Sequence, residues 1–265
     1  MAKLSLSRAW DETREVAGRD GKLIAAVALA MFFLPGVVLG LVDPQAGAFP
    51  DTTGGAVMML VVGLIALVGQ LAIIRMALGA RMTVGEAIGH GARRVPSYLA
   101  AGLIWAGPLI LAGYLVGVEV WQAPERATGG QAGAALLILV TFVVVGIRMM
   151  MTSPVASAEQ AGPLAIVKRS WQLTSGNWWR LFALICIFLL VMAIVMGALG
   201  AVVGIISRIF FEPIEPMTVG ALFVAAVTQL VSAIFTTGLL LMLARLYSQL
   251  SGQGQASVSV PSSGT

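Results

Sequence analysis

The sequence predicts an all-α fold: a polytopic membrane bundle of six transmembrane helices with three interfacial amphipathic helices on one side. Three observations lead there. Of 265 residues, 58% are hydrophobic and only 11% charged, against about 25% charged in soluble domains. Six apolar stretches are each long enough for a hydrocarbon core that needs roughly 20 residues of helix. The charges between those stretches are also sorted by sign. Sixteen basic and twelve acidic residues are too few to give a domain of this size a water-facing surface, so a soluble enzyme, a fibrous protein and a disordered chain are all disfavoured.

The spans are residues 23–42, 56–78, 98–118, 132–151, 181–206 and 217–243. Pro44, Pro50, Pro124, Pro213 and Pro216 interrupt helix in the short, acid-rich connectors after the first, third and fifth spans. The side that carries both termini holds every Lys and Arg except Arg126 and Arg208. Its acids are Asp11, Glu12, Glu15, Asp20, Glu86 and Glu159, so its balance is +8. Asp43, Asp51, Glu119, Glu125, Glu212 and Glu215 against those two arginines make the other side −4. Basic residues stay cytoplasmic, so both termini are expected in the cytoplasm.

Ala46 and Ala48 after the first span resemble a signal-peptidase site, but the leading segment is long and of mixed charge. The apolar run also exceeds the usual h-region of about 7–15 residues, so an uncleaved span is expected. Residues 1–247 read as one six-span domain. The Ser, Gly and Gln-rich residues 248–265 read as a disordered cytoplasmic tail.

A polar segment of helical period precedes each odd-numbered span. Leu6, Trp10, Thr13 and Ala17 share a face of the first. Thr83 and Glu86 form a capping box at the start of the second, which runs through His90 to Arg93 and Arg94. In the third, Pro163 suits a first helical position, Leu164, Val167 and Trp171 share a face, and Gly176 is placed to end the helix. Trp10, His90 and Trp171 occupy matching places, and Arg75, Arg148 and Arg245 mark the cytoplasmic exits of the even spans. This pattern predicts a threefold repeat of an amphipathic helix and a hairpin, in units of about residues 1–80, 81–155 and 156–247.

Little in the chain suggests catalysis. One histidine cannot supply an HExxH, a His pair or a Ser-His system, and His90 reads as an interfacial polar residue. Cys186, mid-span, reads as a buried small hydrophobe. No Asp or Glu falls inside a span, which disfavours proton-coupled pumps and aspartyl intramembrane proteases. Gly18 to Lys22 is too short for a phosphate loop. No catalytic residue, cofactor or metal is expected, nor a nucleic-acid partner.

Two residue sets remain as candidates for binding. Arg93, Arg94, Lys168, Arg169 and Arg180, with Trp171, Trp178 and Trp179, are expected at the interface, where cations meet headgroups and tryptophans form a belt. Gln70, Thr141, Thr228, Gln229, Ser232 and Thr236 form an intramembrane polar set that either joins helices or lines a solute path. Paired glycines at 36 and 40, 113 and 117, and 200 and 204 allow close helix contacts.

The stretch Ser153-Pro154-Val155, Glu159, Gly162, Ala165 and Arg169 through Leu181 is the most distinctive in the chain. With Val84-Gly85-Glu86-Ala87 and Leu243 to Tyr247, it resembles a family of bacterial integral membrane proteins related to the membrane domain of glycerophosphoryl diester phosphodiesterases. The resemblance implies an inner-membrane fold without the soluble domain that carries the His pair and acidic metal ligands. A non-enzymatic protein is therefore expected, one that meets anionic lipid or a membrane partner through its basic cytoplasmic face. The competing expectation is a transporter or permease component for a small solute.

Overall fold

The computed structural model describes residues 4–42, 53–79, 82–122, 128–211 and 215–252, which are helical apart from short connections. Ser5 caps α1 (Leu6–Ala28), accepting from the Arg8 amide at 3.4 Å. The helix continues through a π-helical turn (Leu29–Phe33) into α2 (Leu34–Val42). Then follow α3 (Thr53–Ala77), α4 (Val84–Gln122), α5 (Gly129–Arg148), α6 (Thr152–Ala158), α7 (Pro163–Thr174), α8 (Trp178–Phe210) and α9 (Val219–Leu250). Six helical runs are long and apolar enough to cross a membrane, the first of them Leu6–Val42.

Local chemistry sets the boundaries. The Thr83 amide donates to Glu86 Oε2 at 2.7 Å and the Glu86 amide to Thr83 Oγ1 at 3.3 Å, which is the expected capping box. Thr128 caps α5 in the same way with Gln131. Gly176, at φ +84°, turns the chain between α7 and α8. Among the three polar segments only this third is a helix of its own. The first two are the opening turns of α1 and α4, because neither contains a comparable stop.

The faces also differ from the simple pattern. In the polar opening turns of α1 the buried positions are Ala9, Thr13 and Val16, whereas Trp10 and Ala17 are exposed. Trp10, His90 and Trp171 do not share an environment: the two tryptophans are exposed and His90 is bonded across to α6. Helix α6 also has no counterpart among the described residues between α3 and α4.

The end of the bundle that carries the termini is the packed end. The Ser5 amide donates to Gln249 Oε1 at 3.2 Å and joins the start of α1 to the end of α9. Around this contact α9 continues past Tyr247 to Leu250, because Gln249 is engaged and the Ser251 amide still reaches the Tyr247 carbonyl at 2.8 Å. Ser248 to Leu250 are therefore helix rather than tail, and residues 253–265 lie outside the described residues. Leu71, Ile73 and Ile74 of α3, Val155 of α6, Ile166 of α7 and Leu246 of α9 are almost fully buried here. Gly91 permits the tight approach of α4 to α3, since a Cβ there would overlap the Val68 carbonyl oxygen.

Toward the other end, long faces of α4, α5 and α8 carry exposed Leu, Ile and Val. Lipid is as apolar as these side chains, so nothing drives the helices to close over them. Of the three glycine pairs, the first makes the expected close contacts. A Cβ at Gly36 would lie 2.6 Å from the Gln229 side chain, and one at Gly40 would lie 3.0 Å from the Ala225 Cβ. Gly200 and Gly204 have nothing within 4 Å of such a position.

Candidate functional site

Helix α6 is short, and Thr152 to Ser157 are all buried. Its last carbonyls have no helical partner and need donors from elsewhere. Helix α4 supplies them from one face. Arg94 donates Nε to the Ala156 carbonyl at 2.7 Å and Nη2 to the carbonyls of Glu159 at 2.7 Å and Ala161 at 3.0 Å. His90, one turn earlier, lies 2.9 Å from the Ser157 carbonyl through Nε2. A carbonyl only accepts, so the His90 proton sits on Nε2. The guanidinium also sits at the negative end of the α6 dipole, where a cation is favoured.

The same connector ties in α3, α7 and α9, and α7 in turn holds the end of α5. Ser157 Oγ donates to the Leu71 carbonyl of α3 at 2.8 Å. Glu159 Oε1 accepts from Arg169 Nε of α7 at 3.1 Å and from the Tyr247 hydroxyl of α9 at 2.8 Å. Ser170 and Thr174 donate to the Arg148 carbonyl at 2.9 and 3.1 Å. The Arg148 guanidinium lies 5.0 Å from the centroid of the Trp171 ring, and its Nη1 donates to Ser175 Oγ at 3.1 Å.

The expected interfacial set therefore separates into two groups. Arg94 and Arg169 fix the α6–α7 connection, and Arg180, though exposed, donates Nη1 to the Leu4 carbonyl at 2.7 Å. Trp178 is packed, with its ring stacked 5.1 Å from Phe182 and its Nε1 donating to the Val144 carbonyl at 3.3 Å. Arg93 and Lys168 are exposed, and among the described residues no hydrogen bond or ion pair engages them. Trp171 and Trp179 are 45% and 74% exposed, and Trp10, outside the expected set, is 58% exposed. Arg75 and Arg245 are the cations sequence reasoning undervalued. Arg75 Nε and Arg245 Nε and Nη2 are buried without a hydrogen-bond partner among the described residues.

The intramembrane set also divides. Gln70, Gln229, Ser232 and Thr236 line one cavity of about 290 Å³ between the π-helical turn, α2, α3 and α9. Gln70 Nε2 donates to the Tyr98 hydroxyl at 3.4 Å. Thr228 does not line this cavity. Thr141 is away on α5, where its hydroxyl donates to the Leu137 carbonyl at 2.8 Å.

Cys186 is exposed on the lipid-side surface of α8 rather than buried, because α8 leaves much of its circumference uncovered. Among the described residues no three of His, Cys, Asp and Glu come close enough to hold a metal. Of Glu119, Glu125, Glu212 and Glu215, acids of the side with the negative balance, Glu215 alone has a described side chain, and it is exposed.

The family described as the membrane domain of glycerophosphoryl diester phosphodiesterase matches residues 126–259, half of the chain. The chain belongs to that family. The match contains α5 through α9, hence the whole α6–α7 connector. The Val84 to Ala87 segment, which also resembles the family, lies outside it, as do His90 and Arg94. No catalytic domain of such a phosphodiesterase is matched, and no curated protein or solved structure matches the chain. Family membership and six apolar helices make this a multi-pass integral membrane protein.

Proposed function

We propose that this membrane domain is non-enzymatic and binds anionic lipid headgroups through the basic end of its bundle. Both termini then lie in the cytoplasm, and the host membrane is a bacterial inner membrane. The observation that carries this reading is the pairing of unengaged cations with exposed aromatics at that end. Arg93 and Lys168 are exposed and unpaired among the described residues, exposed Trp171 follows Lys168 by three residues on α7, and Trp10 and Trp179 are exposed on the opening turns of α1 and α8. Tryptophan favours the headgroup level, and each Lys or Arg near an anionic surface contributes about 1 kcal/mol. On α7, Leu164 is 72% exposed on the side away from buried Ile166, as suits a helix lying in the interface.

Spin-labelled lipids in nanodiscs test it. An anionic phospholipid should associate more strongly than phosphatidylcholine, with the preference weakened in high salt and in R93Q/K168Q. Equal association in wild type, or an unchanged preference in that variant, would count against the reading. In the latter case, a protein partner becomes the better account of the basic face.

The convergence of Gln70, Gln229, Ser232 and Thr236 on one cavity favours a second reading, in which the bundle passes a small solute. Radiolabelled uptake into proteoliposomes tests that.

A further inference from the structure

The cavity beside the π-helical turn differs from ordinary helix glue in how its polar groups are used. A hydroxyl facing lipid satisfies itself on its own helix, as Thr141 does on the Leu137 carbonyl at 2.8 Å. The Ser232 and Thr236 hydroxyls and the Gln229 amide have no hydrogen-bond partner among the described residues, yet all three border the cavity. Gln70 gives its amide nitrogen to Tyr98, and its carbonyl oxygen has no partner among the described residues. An unmet polar group at membrane depth is unfavourable because no water replaces the missing bond, so these groups call for a partner that occupies the space.

The lining selects the chemistry of that partner. It contains no Asp, Glu, Lys, Arg or His, and an ion entering such a site would lose its hydration without a counter-charge. Two carboxamides and two hydroxyls offer both donors and acceptors, which suits a neutral molecule bearing several hydroxyls. The volume of about 290 Å³ is that of roughly ten waters at about 30 Å³ each. Met31 and Phe32 of the π-helical turn provide an apolar wall, and such turns occur often at functional sites.

We infer that this cavity is a binding site for a small uncharged polyol. The inference deepens the solute reading but does not need transport to occur. The test is Ser232→Cys in a Cys186→Ala background, reconstituted without glycerol and alkylated with N-ethylmaleimide. Saturating erythritol or myo-inositol should slow alkylation by roughly threefold or more, as occupancy rises. Choline and glutamate at the same concentration should not. The native, exposed Cys186 of wild type serves as control and should be unaffected, which separates occupancy from general osmolyte effects.

Gly36→Ala provides a second variant. The nearest atoms to its new methyl all belong to the flexible Gln229 side chain, at 2.6 Å, so it should displace the amide and abolish protection while leaving the helices assembled. Absence of protection by either polyol, or equal protection by the charged solutes, would overturn the inference. If Ser232→Cys does not assemble, melting of wild type decides. A polyol shift absent from Gln229→Leu supports the site, and no shift, or equal shifts in both, overturns it. Protection without radiolabelled polyol uptake would leave the site standing and remove the transport reading. Uptake without protection would do the reverse.

Discussion

Arg94 Nε meets the Ala156 carbonyl at 2.7 Å, so a cation sought as a lipid contact instead closes the C-terminal end of a buried helix. Its neighbour Arg93 is exposed. Adjacent, chemically identical residues thus have different work, and the first prediction separates them. Arg94→Gln removes three charge-assisted bonds and leaves buried carbonyls unmet, a cost of about 2–4 kcal/mol. Arg93→Gln should change stability by less than about 0.5 kcal/mol. Thermal melting in detergent checks this: a marked drop for Arg94→Gln and little for Arg93→Gln is expected. Equal melting temperatures would remove the structural role.

The difference was not legible in the sequence. Arg93 and Arg94 have the same composition around them, and nothing in a polar helical segment reveals which residue faces a helix 62 positions away. Six spans, the Thr83 capping box and the Gly176 stop were legible because each rests on local chemistry. The buried α6 was hidden in the residues that directly follow the fourth span and read as the approach to a surface segment. Its apolar run of Val155, Ala156 and Ala158 is too short to give a period. Cys186 was misplaced for a related reason: in lipid, an apolar face says nothing about whether protein covers it.

Gly91 gives the second prediction. A Cβ there would overlap the Val68 backbone oxygen, which belongs to helix α3 and cannot rotate aside. Gly91→Ala should therefore force α3 and α4 apart, at about 1–3 kcal/mol. Gly200→Ala, with nothing within 4 Å of the new methyl, should be nearly neutral. Comparing the two melting temperatures checks the packed end against the lipid-facing one.

Glu159 links Tyr247 and Arg169 through one carboxylate oxygen. A double-mutant cycle between Glu159→Gln and Tyr247→Phe should give a coupling of about 0.5–3 kcal/mol. Additive losses would mean that the hydroxyl at 2.8 Å contributes nothing.

Topology follows from the charge sorting of +8 and −4. A reporter fused after residue 265 should report cytoplasm, and one inserted after residue 51 the opposite side. The reverse pattern would invert the assignment of the basic end.

The family name invites an assay that should be negative. Purified chain should not hydrolyse glycerophosphodiesters with Mg²⁺, Ca²⁺, Mn²⁺ or Zn²⁺, because a hydrolytic metal site needs ligands gathered in one pocket. Metal-dependent turnover that disappears in E212Q/E215Q would show the non-enzymatic reading to be wrong.

Native mass spectrometry of the wild-type protein, released directly from bacterial membranes, tests the central claim most directly. The account predicts retained phospholipids enriched in anionic headgroups relative to the surrounding membrane, with the enrichment reduced in R93Q/K168Q and kept in Gly200→Ala. Retained lipid that mirrors the bulk composition in all three proteins would contradict it.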